Sequence, residues 1–179
     1  NGQTPLYTAC WRGHINCVSL LISARAQVDL WEAHGATPLF VACQFGNTAC
    51  VEALLEAGAS IELGDSTGVR PLYAAAAYEQ IACMKLLLNG HADVDGAENG
   101  GATPLHLCCQ EGHREATWLL LAYGADTGAI DEGGFTPLYL GCQNRQVECV
   151  STLLHAKAAL NQQRPQNGAT ALYMCCELG

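Results

Sequence analysis

Cysteine is the residue type with the greatest potential for chemistry in this sequence. Eleven cysteines occur among 179 residues, and thiols can bind zinc, form disulfides or act as nucleophiles. No Cys-x2-Cys pair of the kind typical of zinc sites occurs. Instead, every cysteine falls at one of three positions of a recurring unit: Cys10, Cys43, Cys109, Cys142 and Cys176; Cys17, Cys50, Cys83 and Cys149; Cys108 and Cys175. Free cysteine packs as a small apolar residue, so we predict core packing in a reducing compartment, with metal or disulfide chemistry as the alternative.

Histidine and acidic residues offer a second route to chemistry. His106 would need a nucleophile beside it, and Cys109 would have to be exposed to serve as one. Other copies of the unit carry an aromatic residue at the position of His106: Tyr7, Phe40, Tyr73, Tyr139 and Tyr173. Asp131 and Glu132 precede a Gly-Gly pair, which predicts a loop tip with solvated charge. No glycine loop of the phosphate-binding type occurs, and we expect neither catalysis nor a cofactor.

The unit that places these residues begins with a short phrase whose clearest copy is Thr103-Pro104-Leu105-His106. Variants of the phrase begin at Thr4, Thr37, Arg70, Thr136 and Thr170, and successive starts are 33, 33, 33, 33 and 34 residues apart. This regularity indicates a tandem array in which each unit contacts only its neighbours. Below, positions within a unit are counted from its Thr as zero.

Each unit predicts two short helices separated by a tight turn. Thr can cap the first helix and Pro suits its first position. The predicted pairs are 5–12 with 15–24, 38–45 with 48–57, 71–78 with 81–89, 104–111 with 114–123, and 137–144 with 147–156. Neither helix can bury its apolar face alone, so stacking of units must supply the stability.

Several units depart from the pattern. Arg70 replaces the capping Thr, which we expect to cost on the order of 1 kcal/mol. The glycine between the helices becomes Glu79 and Arg145. The glycine after the second helix becomes Arg25, His91 and Lys157, each with a conformational penalty if the backbone there is left-handed. These changes predict weak points in units three and five, unless Gly90 shifts its turn by one residue. An extra residue between 161 and 167 predicts an altered hairpin.

The period of about 33 residues and the Thr-Pro-Leu phrase resemble the ankyrin repeat across essentially the whole chain. The resemblance implies an all-α solenoid of helix-turn-helix units joined by β-hairpin loops, forming one domain. The units run approximately over 1–30, 31–63, 64–96, 97–129, 130–163 and a partial 164–179. The resemblance also implies structural roles for His14 and His113 and a local hydrogen bond from His106 to Thr103.

A concave face built from hairpin tips and first helices binds partners in this family. Mapped onto this sequence, the resemblance implies a partner-binding set of Trp11, Arg12, Trp31, His34, Gln44, Phe45, Val69, Tyr78, Gln110, Glu111, Glu132, Phe135 and Gln143. Aromatic side chains and Arg often dominate interface energies. With Asp65, Glu98 and Asp131 nearby, we expect an apolar groove with an acidic rim. The alternative is that individual rings pack against neighbouring units. Trp118 maps to the opposite face, where a flanking segment covers it or it forms a second binding surface.

Net charge further restricts the partner. Eight Lys and Arg stand against 17 Asp and Glu, a formal net charge of −9. Phosphate-backbone binding needs clustered basic residues, so we expect no nucleic acid and instead a protein or peptide with apolar anchors and basic flanks. No apolar run is long enough to span a bilayer, and Asn1 opens no signal segment. We expect an intracellular protein, cytoplasmic or nuclear, whose oligomeric state is open.

The role that the resemblance implies is a non-enzymatic scaffold. The cadence Ala-Cys-x-x-Gly-His-x-x-Cys-Val over 9–18, echoed at 42–51, is similar to ankyrin proteins that also carry a SOCS box and select substrates for ubiquitin ligases. Alternatives are an adaptor for cytoskeletal or membrane proteins and an inhibitory regulator of an enzyme or transcription factor. The apolar Leu172, Met174 and Leu178 near Gly179 lack a covering second helix, so we expect a segment of a longer protein.

Overall fold

The computed structural model describes residues 2–178, together with their side chains except those of Cys175, Glu177 and Leu178. The expectations for those three side chains, for Asn1 and for Gly179 therefore lie outside the described residues. Eleven α-helices occur within the described part of the chain. They are α1 (Pro5–Trp11), α2 (Ile15–Ser23), α3 (Pro38–Gln44), α4 (Thr48–Glu56), α5 (Pro71–Ala77), α6 (Ile81–Asn89), α7 (Pro104–Glu111), α8 (Arg114–Ala122), α9 (Pro137–Gln143), α10 (Val147–His155) and α11 (Ala171–Leu178).

The helix starts follow from the capping phrase. Thr4 accepts a hydrogen bond from the backbone N–H three residues later, at 3.0 Å. Thr37, Thr136 and Thr170 make the same bond at 3.1, 3.1 and 3.2 Å. Because each cap satisfies an orphan N–H and the following Pro needs none, the predicted starts of the first helices are confirmed. Predicted ends differ from the observed ones by at most one residue.

The helices form two rows. The first helices α1, α3, α5, α7, α9 and α11 pack in order against one another, and so do the second helices α2, α4, α6, α8 and α10. First helices contact one another more extensively than second helices do. We call the side of the array that carries the row of first helices the concave face.

Hairpin loops join the units and bond to one another. Glu32 N–H donates to the carbonyl of Ala36 at 3.0 Å and closes the first loop. Ser66, Asn99 and Glu132 each donate a backbone N–H to the preceding loop at 2.9 Å. Within residues 2–178 no loop pairs over enough residues to form a β-strand. The last loop closes between Arg164 and Ala169 with one residue more than the others, as the extra residue predicted.

The core is a continuous stripe of leucines and cysteines. Leu54, Leu87, Leu120 and Leu153 occupy the same position of successive second helices and are fully buried. Among the described side chains, eight cysteines are buried beside them: Cys10, Cys43, Cys50, Cys83, Cys108, Cys109, Cys142 and Cys149. The prediction of core packing for all cysteines was wrong for Cys17 and Cys176, which are exposed. Cys50 on α4 is covered by the preceding unit, whereas no described unit covers the equivalent face of α2, where Cys17 lies. Cys176 is exposed because no second helix lies beside α11 in the described residues.

Non-glycine residues occupy left-handed turns at five places. Arg25, His91 and Lys157 follow second helices with φ of 61°, 64° and 63°. Glu79 and Arg145 lie between helices with φ of 50° and 58°. The predicted left-handed requirement is therefore confirmed. The alternative of a shifted turn was wrong because Gly90 has φ −80° and His91 takes the left-handed conformation.

Substituting His91 with glycine is expected to raise the free energy of unfolding by about 1 kcal/mol. A left-handed backbone costs an L-residue about 1–2 kcal/mol, partly offset by the greater unfolded entropy of glycine. Gly58 provides the converse at the same unit position, because a Cβ there meets nothing within 4 Å. Gly58→Ala should therefore lower the free energy of unfolding by about the same amount. Urea unfolding followed by circular dichroism measures both, and a stabilised Gly58→Ala would contradict the strain.

Arg70 makes ion pairs in place of a cap. Its side chain gives no cap bond to α5, as predicted. Instead its Nη1 donates to Glu62 Oε2 at 2.8 Å and Asp93 Oδ2 at 2.9 Å. The other oxygen of Glu62 accepts the backbone N–H of Asp93 at 2.8 Å. Arg70 therefore links two successive loops, a role the sequence did not predict.

Side chains at the start of the second helices tie each unit to the one before. Asn47 Nδ2 donates to the carbonyls of Cys10 at 2.8 Å and Trp11 at 3.1 Å. Gln146 Nε2 bonds the carbonyl of Gln110 at 3.2 Å, and His113 Nε2 lies 3.2 Å from that of Ala77. These bonds satisfy carbonyls that end the first helices and confirm a structural role for His113.

Candidate functional site

His106 is buried and bonded on both ring nitrogens. Thr103 N–H donates to its Nδ1 at 3.1 Å, so the ring proton lies on Nε2, which donates to the carbonyl of Phe135 at 3.0 Å. The predicted bond to Thr103 is confirmed, and the bond to Phe135 adds a link to the next unit. A ring fixed in this way has no free nitrogen for acid–base catalysis.

The stability of the array should depend on pH through His106. Burial lowers the pKa of His106 below its ordinary 6.5, against smaller opposing effects of neighbouring groups. Protonation therefore favours the unfolded chain: the contribution of His106 is full above about pH 6.5 and is lost as pH falls toward the folded pKa. We expect a lower urea midpoint at pH 5 than at pH 7.5, and a smaller difference in His106→Tyr, which copies Tyr139. An equal pH dependence in both proteins would contradict this assignment.

The buried thiols are poorly suited to nucleophilic or metal chemistry. Burial raises the pKa of Cys10 to about 12 and raises those of Cys43, Cys108 and Cys109 well above their ordinary value. Thiolate is the reactive form, so these groups stay protonated. Within the described residues, no three His, Cys, Asp or Glu side chains are placed to hold a metal ion.

Most acidic residues of the loops are used by their own hairpins. Asp65 Oδ1 accepts the backbone N–H groups of Thr67 and Val69 at 2.8 and 3.1 Å. Asp131 Oδ1 accepts that of Phe135 at 2.8 Å. The prediction of solvated charge was therefore wrong for the half-buried Asp131, because its carboxylate holds the loop together. Glu132 beside it is exposed.

Three aromatic side chains lie at the ends of successive first helices. Trp11 ends α1, and Phe45 and Tyr78 directly follow α3 and α5. The rings of Trp11 and Phe45 meet edge to face with centroids 6.2 Å apart, within the favourable range for such pairs. Phe45 and Tyr78 remain 52% and 58% exposed. We call these three residues the aromatic ridge.

Polar neighbours support the ridge on both sides. The Arg12 guanidinium lies 4.5 Å from the centre of the Trp11 ring, a cation–π distance. Gln44 Nε2 donates to Tyr78 Oη at 3.3 Å. Farther along the same row the equivalent positions are polar, since Gln110, Glu111 and Gln143 are exposed there. The structure therefore brings Trp11, Arg12, Gln44, Phe45 and Tyr78 together as one surface.

The predicted residues of the loops lie at the opposite end of the first helices. Trp31, 61% exposed, and His34 lie in the first loop. A seven-residue helix is about 10 Å long, so these side chains form a second strip parallel to the ridge. Val69 is half-buried and packs with Phe40, which leaves it little free surface.

Phe135 is largely covered by its neighbours. Its ring centre lies 5.2 Å from that of Tyr139, and the Arg164 guanidinium stacks on it at 3.9 Å. Arg164 also donates to the carbonyl of Gly133 at 2.8 Å. The alternative of packing against a neighbouring unit therefore describes Phe135 better than an open binding surface does.

Sequence reasoning missed Tyr73, a half-buried residue of α5 in the row of first helices. Burial raises its pKa to about 12, with further contributions from Glu98, Cys108 and Glu111. Glu98 belongs to a loop and Glu111 to the end of α7, so carboxylates from two elements act on the hydroxyl of Tyr73. Its unit position, shared with Tyr7 and His106, was the available signal.

Comparison with protein families agrees with this architecture. Residues 1–65 and 59–131 match the family described as ankyrin repeats in three copies, and residues 133–164 match the single ankyrin repeat. The chain belongs to the ankyrin repeat family. A search of curated proteins found no match.

Membership gives the coarse function of the array. Ankyrin repeats are protein–protein interaction domains and are typically non-enzymatic. Within the described residues, no helix of the ankyrin array is both long and apolar enough to cross a membrane.

Proposed function

We propose that the ankyrin array binds a partner protein through its concave face, with the aromatic ridge as the apolar anchor. The supporting observation is the contrast between units at the same positions. Units one to three place Trp11, Phe45 and Tyr78 there, whereas unit five places Gln143 and Asn144. Since the fold accepts polar residues at these positions, packing alone does not require the exposed rings of Phe45 and Tyr78. The half-buried Trp11 also packs against the core.

The ridge has the properties of an interface anchor. Edge-to-face packing and the Arg12 contact hold the Trp11 ring before binding, which lowers the entropy lost on association. Exposed aromatic side chains and Arg are the residues that most often dominate interface energies. Trp31 and His34 on the parallel strip extend the contact across the concave face. The half-buried Val69 and Phe135 of the later loops offer less free surface to the partner.

The net charge of the array indicates the charge that its partner should carry. The net charge of −9 and the exposed Glu111 and Glu132 favour a partner with apolar anchors and basic flanks. Gln44, Gln110 and Gln143 supply neutral hydrogen-bonding groups along the row. The array has no cluster of basic side chains for a phosphate backbone, so the partner is a protein or peptide and not a nucleic acid.

The function is thus that of an intracellular, non-enzymatic scaffold, cytoplasmic or nuclear, that needs no cofactor. Recognition of substrates for a ubiquitin ligase is one form of this role, favoured by the Ala-Cys-x-x-Gly-His-x-x-Cys-Val cadence over 9–18. An adaptor or an inhibitory regulator uses the same surface, and the identity of captured proteins distinguishes these classes.

Replacing the ridge with residues from the later units should abolish partner capture. Trp11→Gln, Phe45→Asn and Tyr78→Asn copy side chains present at equivalent positions, so the fold should be retained. Loss of three anchors, each contributing more than about 1 kcal/mol, is expected to lower affinity by about a hundredfold or more. Affinity capture from a cell lysate, quantified by mass spectrometry, compares the ridge variant with wild type.

A matched control removes exposed apolar surface elsewhere. Leu154→Ala/Leu160→Ala changes two leucines that are 43% and 54% exposed and lie off the concave face. Proteins retained by wild type and control but lost by the ridge variant support the proposal. Equal retention by all three proteins, with unchanged helicity, would sink it.

A further inference from the structure

Trp118 occupies a position that the fold leaves open to solvent. It lies fifteen residues after Thr103 in unit four, on the outer surface of α8, and is 61% exposed. The equivalent residues of the other complete units are Ser19, Glu52, Lys85 and Ser151, and all four are exposed. Because polar residues suffice there, the indole at this position is not needed for packing.

A groove runs beside Trp118 between α8 and α10. Trp118 and Arg114 form one wall, and Val147, Ser151 and His155 on successive turns of α10 form the other. Val147 is 69% exposed, so apolar surface lies on both walls. His155 Nδ1 donates to the carbonyl of Ser151 at 2.7 Å, which fixes its ring along the groove. Within the described residues nothing covers this surface.

The groove is acidic as well as apolar. Glu148 lies on the α10 wall, and an adjoining depression that also includes Trp118 is lined by Glu79 and Glu115. Among the residues that line the two depressions, three carry carboxylates and one, Arg114, carries a guanidinium. A cation placed over an indole face gains from the ring quadrupole, and nearby carboxylates strengthen that attraction.

We propose that this outer groove is a second protein-binding site, which takes a basic segment of a partner protein. An Arg or Lys side chain of the segment stacks on Trp118 and pairs with Glu115 or Glu148, and a neighbouring apolar side chain packs on Val147. The site lies on the second helices and so is independent of the concave face.

A randomised library of twelve-residue peptides displayed on phage tests the chemistry of the site. Peptides are selected on wild-type array and depleted on Trp118→Ser, a variant that carries the residue found at Ser19 and Ser151. We expect the remaining peptides to be enriched in Arg or Lys beside an apolar residue. They should bind Glu148→Lys about tenfold or more weakly than wild type. Failure to enrich any peptide, or enrichment of acidic or neutral ones, would overturn the proposal.

The three tryptophans locate the binding. In ¹H–¹⁵N spectra the indole signal of Trp118 reports the outer groove, and those of Trp11 and Trp31 report the concave face. A selected peptide should shift the Trp118 signal and leave the other two in place. Shifts confined to Trp11 or Trp31 would overturn the outer site while supporting the concave one. A shift of Trp118 with protein concentration alone would overturn it in favour of self-association.

Discussion

Replacing His106 with alanine is expected to lower the free energy of unfolding by about 3 kcal/mol. The side chain is fully buried, so its removal leaves a cavity in unit four. It also leaves the N–H of Thr103 without its partner, and an unsatisfied buried group costs about 1–3 kcal/mol. The carbonyl of Phe135 loses the bond from His106 but keeps the one from the backbone N–H of Asp131 at 3.1 Å. Equilibrium urea unfolding at pH 7.5, where the imidazole is neutral, measures the loss.

Two companion variants separate packing from hydrogen bonding at His106. His155→Ala removes an exposed histidine and should change stability by less than about 0.5 kcal/mol. His106→Phe restores the volume that Phe40 fills in unit two but makes no bond to Phe135, and it should fall between wild type and alanine. A loss in His106→Ala no larger than that in His155→Ala would refute the structural role.

The second large effect is expected from Leu120→Ala, again about 3 kcal/mol. Leu120 is fully buried in the core stripe, and truncating buried leucine costs about 2–5 kcal/mol through lost transfer energy and the cavity left behind. Because each unit is stabilised through its neighbours, the damage in unit four should reach units three and five. Urea unfolding, with amide hydrogen exchange resolved by unit, checks both the size and the spread.

Leu20→Ala is the matched control for the core prediction. Leu20 also lies on a second helix but is 72% exposed, so its truncation should cost less than about 0.5 kcal/mol. The prediction fails if the two variants lose equal stability, or if exchange accelerates only in unit four after Leu120→Ala.

Most of the fold could be predicted because the same local signals recur at a fixed period. Thr before Pro specifies the starts of α1, α3, α7 and α9 through the cap bond, and the left-handed residue after each second helix specifies its end. Even Arg25, His91 and Lys157 kept this geometry, since the tertiary position outweighs the local preference of the residue. The repeated pattern therefore predicts helix ends that the residues of a single unit leave ambiguous.

The errors arose where a contact depends on which unit is adjacent. Cys17 shares its unit position with the buried Cys50, yet its burial requires a preceding unit. The sequence predicts a solvated carboxylate for Asp131, because its bond to the Phe135 N–H depends on loop geometry. The ion pairs of Arg70 with Glu62 and Asp93 join residues from two loops, which no local pattern indicates.

Part of the candidate site could also be predicted from the repeat period. Trp11 and Phe45 are 34 residues apart, nearly one period, so their contact follows from the repeat. The separation of the ridge from the loop strip follows from the length of the first helices, which the residue types of the site do not indicate. The contact of Arg164 with Phe135 could not be predicted, because Arg164 belongs to the last loop, and that loop has an extra residue.

The concave face as the partner-binding surface is tested most directly by site-specific photo-crosslinking. p-Benzoylphenylalanine is placed either at Phe45 in the aromatic ridge or at Glu52 on the exposed surface of α4, and each protein is irradiated with the partner recovered by affinity capture. We predict a covalent adduct from position 45 and none from position 52. Adducts from position 52 alone, or in equal yield from both positions, would contradict the concave-face account.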